Sequence, residues 1–242
     1  MSLDQSILTA DERAELELTA LASHPLEEQY ANLEQQHETA VLGMWVFLAT
    51  EVLFFGVLFL GLAAYHIKYP EAFEAGSQKL NWVIGGINTV VLLVSSLTMV
   101  LAVHFARLGE NRRTCWCLAL TAALGCVFLC LKGLEYYLDY RENLIPGWRF
   151  DDSEWVQEGL HADQVPHVKL FLLFYWIMTG LHGLHVTIGI GVVVWILVLA
   201  AKGRFTPTRY TAVDVTALYW HFVDLVWIVL LPMLYLQGTH TL

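Results

Sequence analysis

The sequence predicts an all-α polytopic membrane protein, a helical bundle with five transmembrane helices. Three observations carry that prediction. Of 242 residues, 57% are hydrophobic and 15% charged, and the mean hydropathy is +0.53. That is the balance of a chain that lives in lipid. Five stretches stay apolar over the ~20 residues needed to cross a hydrocarbon core of roughly 30 Å. No short alternating segments of the barrel-strand kind occur, and backbone groups in lipid must pair within their own segment, which leaves helices.

The elements follow in order. Residues 1–38 form an acidic cytoplasmic tail, with nine acids against one base, Arg13. Such a tail argues against nucleic acid and against docking on anionic lipid. Within it, Thr9 to Leu21 reads as helical, with Thr9 as cap and Glu12 three residues on. No basic n-region precedes an apolar run, so no cleaved leader is expected. Residues 39–242 form the membrane domain, with spans at about 39–66, 81–106, 114–138, 168–201 and 211–236. The third span carries Lys132 and Glu135 at i and i+3, a spacing that suits a helical ion pair. Residues 139–167 are the one long connection, an acid-rich external loop with turn signals at Pro146-Gly147, Gly159 and Pro166. The four cysteines, Cys115, Cys117, Cys126 and Cys130, crowd one span and read as reduced structural thiols.

Orientation comes from the loop lysines and arginines. Arg13, Arg107, Arg112, Arg113, Lys202, Arg204 and Arg209 fall on one side, and Lys68, Lys79, Arg141, Arg149 and Lys169 on the other. The excess places the N-terminus in the cytoplasm and the C-terminus outside.

Chemistry concentrates in a mid-membrane layer. Glu51 lies about 12 residues into the first span, which is about 18 Å along a helix. Asp224, His182 and His185 fall at similar depths in the last two spans. An ionisable side chain at that depth costs about 2.5–3.5 kcal/mol on insertion scales, so it needs a partner, a proton or a subunit contact. His182 and His185 are three apart and share a helix face. That spacing suits a metal or haem site. Equally, Gly180, Gly183, Gly189 and Gly191 suggest close helix packing with histidines bonded across it. His221 and Asp224 are also three apart and read as a local pair. Asn88, Thr89, Ser95, Ser96 and Thr98 read as weak interhelical glue. P-loop, dinucleotide, nucleophile-serine and zinc-protease signatures are absent.

Five blocks recur in order through all the spans: Thr50-Glu51-Val52 with Phe54-Phe55; Ile87-Asn88-Thr89-Val90-Val91-Leu92-Leu93; Glu135-Tyr136-Tyr137; Thr179-Gly180-Leu181-His182-Gly183-Leu184-His185-Val186; and Trp220-His221-Phe222-Val223-Asp224-Leu225-Val226-Trp227. On these blocks the chain resembles subunit III of the haem–copper terminal oxidases, the cytochrome c oxidase subunit III family, over about 200 residues.

The resemblance implies a non-catalytic subunit with no redox centre and no bound metal; haem and copper belong to partner subunits. It implies packing beside subunit I, membership with subunit II of a respiratory complex or supercomplex, bound phospholipid, and support of proton uptake during O2 reduction. It also implies a bacterial inner-membrane location. Glu51 matches the family's carbodiimide-reactive carboxyl, and His182, His185, His221 and Asp224 become a structural polar layer. Glu51, His185, Lys202 and Arg204 are the lipid-binding candidates. The commonest family form has seven spans, with its lipid cleft between the first two and the remaining five. This chain shows only those five, and Leu199 falls about where that form carries an arginine. Competing readings are an accessory subunit of a quinol oxidase or nitric oxide reductase, a haem-binding redox carrier, and a proton-coupled transporter using Glu51 and Asp224.

Overall fold

The computed structural model describes residues 33–146, 150, 152–157, 160–207 and 209–238. The Thr9–Leu21 helix expected in the tail lies outside them. Among the described residues there are seven helices: α1 (Leu33–Lys68), α2 (Pro70–Lys79), α3 (Trp82–Arg107), α4 (Asn111–Arg141), α5 (Asp152–Gln157), α6 (Val165–Ala201) and α7 (Thr211–Tyr235). The five long ones, α1, α3, α4, α6 and α7, are long and apolar enough to cross a membrane. Each coincides with an expected span.

The chain divides into two units, Met1–Gly43 and Met44–Leu242. The described part of the first unit is the opening of α1, where the Thr39 hydroxyl donates to the Gln35 carbonyl at 2.7 Å.

In the second unit, local sequence explains where helices start. The Asn81 side chain accepts from the Val83 and Ile84 amides at 3.1 and 3.2 Å, capping α3. Pro70 opens α2 and Pro166 lies in the first turn of α6, where a missing N–H costs nothing. Helix α2 lies between the first two expected spans. It buries Ala72, Phe73, Gly76 and Ser77, and Phe171 of α6 occupies the space where a Gly76 side chain would stand. The long connection at 139–167 also carries structure. Within it α5 places Trp155 in the core, stacked on Phe150 at 5.9 Å, and Leu144 is buried.

Helices α3, α4, α6 and α7 form a ring: α3 packs on α4 and α7, and α6 packs on the same two. Trp220 of α7 packs between α4 and α6 inside this ring. Gly189 and Gly125 make its seat, since a Cβ on either would come within 3.1 and 2.9 Å of the indole. The expectation for the other α6 glycines fails: Gly180, Gly183 and Gly191 have open space where a Cβ would stand. A stripe of small residues does not say which face meets a neighbour.

The α3–α4 and α6–α7 loops are latched together. Asn111 donates to the Phe205 carbonyl at 2.8 Å and accepts from its amide at 3.3 Å. Gly109, at φ 73°, sits against Pro207, and Arg107 grips Asp214 through both carboxylate oxygens at 2.9 and 3.1 Å.

Helix α1 attaches differently. Between Met44 and Lys68 its buried large side chains are Leu48, Phe55 and Leu62, a seven-residue repeat. Phe55 meets His185 of α6 and Phe222 of α7, and Phe47 meets Tyr219. Most of its remaining apolar surface faces outward, as expected where lipid is the solvent.

Candidate functional site

Glu51 stands three residues after Leu48 and four before Phe55, on the α1 stripe that faces the ring. Its Oε2 meets His185 Nε2 at 3.1 Å, with side chains 18% and 15% exposed. The other imidazole nitrogen, Nδ1, lies 2.8 Å from the Leu181 carbonyl. A carbonyl only accepts, so Nδ1 carries a proton. The Nε2 to Oε2 contact then needs one further proton, either on the carboxyl or on the ring. The pair therefore holds one proton beyond the neutral imidazole and carboxylate. The Tyr219 hydroxyl donates to the His185 carbonyl at 3.0 Å and fixes α7 against this segment.

His182 does not share this site. Three residues turn the helix by about 60° from a full circle, and His182 points into the ring against Phe128 and Trp227, with centroids 5.5 and 5.1 Å away. It is 1% exposed and neither nitrogen has a hydrogen bond. The two histidines therefore diverge and do not present themselves to one metal ion.

The expected His221–Asp224 pair does not form. His221 Nδ1 bonds the Ser96 hydroxyl of α3 at 2.6 Å. Asp224 is 4% exposed with neither oxygen hydrogen-bonded, and Ser96, which faces it, is engaged by His221. Helical spacing brought the two residues close, but the imidazole found its partner across the helix interface. Four of the five glue residues of α3, Thr89, Ser95, Ser96 and Thr98, bond to a neighbouring helix as expected. Trp227 Nε1 donates to Thr89 at 3.0 Å, Trp220 Nε1 to Ser95 at 3.1 Å, and Thr98 bonds Thr121 at 2.7 Å. Asn88 is fully buried with its side-chain amide unbonded.

Lys202 and Arg204 lie exposed just beyond the C-terminus of α6. Seventeen residues separate His185 from Lys202, about 25 Å of helix. The four lipid candidates thus fall in two places, Glu51 with His185 and Lys202 with Arg204. An apolar groove of about 690 Å³ runs between α1 and α7, lined among others by Trp45, Leu48, Val52, His221, Phe222 and Leu225.

Sequence reasoning anticipated the Lys132–Glu135 pair, which forms at 3.0 Å with both side chains buried. It missed the rest of that cluster: Asp139, Tyr175 and Tyr235. A lysine and two acids in the C-terminal third of an apolar span were the available signal, with tyrosines on two other spans to satisfy them.

The family model for cytochrome c oxidase subunit III matches residues 162–239. The chain is 31% identical to the quinol oxidase subunit 3 of Bacillus subtilis, over 86% of this chain and 93% of that protein. It is 29% identical to the cytochrome c oxidase subunit 3 of Synechocystis, over 81% of this chain and 75% of that one. Against the corresponding subunit of Oncorhynchus mykiss it is 31% identical, over 81% and 69%. With five helices long and apolar enough to span a membrane, a near full-length match at 31% identity to the bacterial quinol oxidase subunit and the match to the oxidase family model, the chain belongs to the haem–copper oxidase subunit III family.

Proposed function

We propose that this chain stabilises the catalytic subunit I of a respiratory oxidase and supports its proton uptake, without carrying electrons itself. The observation that supports this is the Glu51–His185 pair, a carboxyl and an imidazole 3.1 Å apart on the span least embedded in the chain's own core. Haem and copper reside in partner subunits, where O2 is reduced. The groove between α1 and α7 takes phospholipid acyl chains, consistent with its apolar walls. The lysine and arginine bias of the loops supports an N-terminus in the cytoplasm and a C-terminus outside, and the bacterial relatives support a bacterial membrane.

The test is purification through a tag on this chain, followed by native mass spectrometry and an optical spectrum. A haem–copper subunit and a Soret band are expected. A pure preparation with neither sinks the proposal. The near full-length match to a quinol oxidase subunit supports quinol as the electron donor as readily as cytochrome c. Turnover of the purified complex with each donor in turn decides between them.

A further inference from the structure

At the outer end of the ring, five polar side chains meet. Lys132, Glu135 and Asp139 come from α4, Tyr175 from α6 and Tyr235 from α7, and all five are at most 5% exposed. Lys132 Nζ donates to Glu135 Oε2 at 3.0 Å, to the Tyr235 hydroxyl at 2.8 Å and to the Tyr175 hydroxyl at 3.4 Å. That uses its three protons. The rings of Tyr136, Tyr175, Trp227 and Tyr235 surround the ammonium at 5.0–5.5 Å. Tyr235 gives its only proton to Glu135 Oε1 at 2.6 Å.

The count fails at Tyr175. Its hydroxyl lies 2.7 Å from Asp139 Oδ2 and 3.1 Å from Glu135 Oε1. One hydroxyl proton cannot fill both contacts, and a carboxylate has none to give. With both acids ionised, two oxygen lone pairs would face each other, and the buried cluster would carry a net charge of minus one. A single added proton cures both defects. Placed on Asp139 Oδ2, it donates to Tyr175, which then donates to Glu135. Every contact is filled and one ammonium balances one carboxylate, as a low-dielectric site demands.

We propose that Asp139 is a neutral carboxylic acid holding one exchangeable proton in this network, a proton-binding site separate from Glu51 and His185. The other ionisable neighbours are few. Glu142 lies one turn further out on the exposed side, which gives the proton its route to water. His182 of α6 lies inward and faces the same Trp227 ring, with both nitrogens unpartnered. It brings a second buried base into the layer below.

Infrared difference spectra of the full chain purified in its complex test this, comparing wild type with Asp139→Asn in H2O and D2O. A neutral-acid carbonyl stretch should vanish in the variant and shift in D2O in the wild type. Loss of an ionised carboxylate band instead overturns the proposal. Asp139→Asn should also fold and assemble to wild-type yield, because the amide mimics the neutral acid; failure to fold counts against it. Tyr175→Phe removes the acceptor but keeps the ring. It should move the same carbonyl band toward the frequency of an unbonded acid, and a band that stays in place overturns the assignment.

Discussion

The Glu51–His185 pair and the Lys132 network both pair carboxyls with nitrogen bases in the membrane, yet they are built in opposite ways. The first hangs on one hydrogen bond between α1 and α6, at 15–18% exposure, on a helix seated by three buried side chains. The second ties α4, α6 and α7 through six hydrogen bonds, with Lys132 and Glu135 side chains at 6% and 1% exposure. A single bond at a seam can exchange its proton and its partner at small cost. A saturated network inside the ring cannot lose a member without leaving another unpaired. The seam suits contact with a neighbouring subunit, and the network suits holding the bundle in one arrangement.

Four experiments would break or sharpen that contrast. The largest effect is all-or-none: a membrane-soluble carbodiimide should modify Glu51 and leave Glu135 untouched, as read by peptide mass spectrometry. Equal labelling would mean that the network opens as readily as the seam. Next, Lys132→Met strands Glu135 and should cost about 3–5 kcal/mol, the range for breaking a buried ion pair. The double variant Lys132→Met with Glu135→Gln should recover most of it. Denaturant titration of the purified protein checks both, and a double variant as weak as the single one removes the electrostatic explanation. Gly189→Ala should then cost about 1–3 kcal/mol through overpacking against Trp220, whereas Gly180→Ala, in open space, should stay within about 0.5 kcal/mol. Reversal of that order would show that Trp220 moves freely. Smallest among the polar sites, Glu51→Gln keeps shape and one hydrogen bond and should cost about 1 kcal/mol. Assembly and turnover should survive; loss of assembly would make Glu51 structural.

Hydropathy made the five spans legible, because lipid demands long apolar helices whatever their neighbours are. Local spacing also revealed the Lys132–Glu135 pair. What depended on rotation about a helix axis was harder to read. Asp139, Tyr175 and Tyr235 meet Lys132 only after three helices have packed. The histidines at 182 and 185 share a face on a helical wheel, but one enters the ring and the other meets α1. His221 and Asp224 fit a local pair until Ser96 of α3 offers His221 a better partner. Helix α2 escaped because its ten residues carry three charges and no sustained apolar run, although Pro70 marks its start.

The seven-residue repeat of Leu48, Phe55 and Leu62 acts as a reading frame for the chemistry. Each residue added to a helix turns everything beyond it by about 100°. One alanine inserted between Glu51 and Phe55 would leave the composition and hydropathy of α1 almost unchanged. It would nonetheless aim either the carboxyl or the seam at lipid. What the first helix has to preserve is therefore a phase, and its many outward-facing residues are free to vary around it.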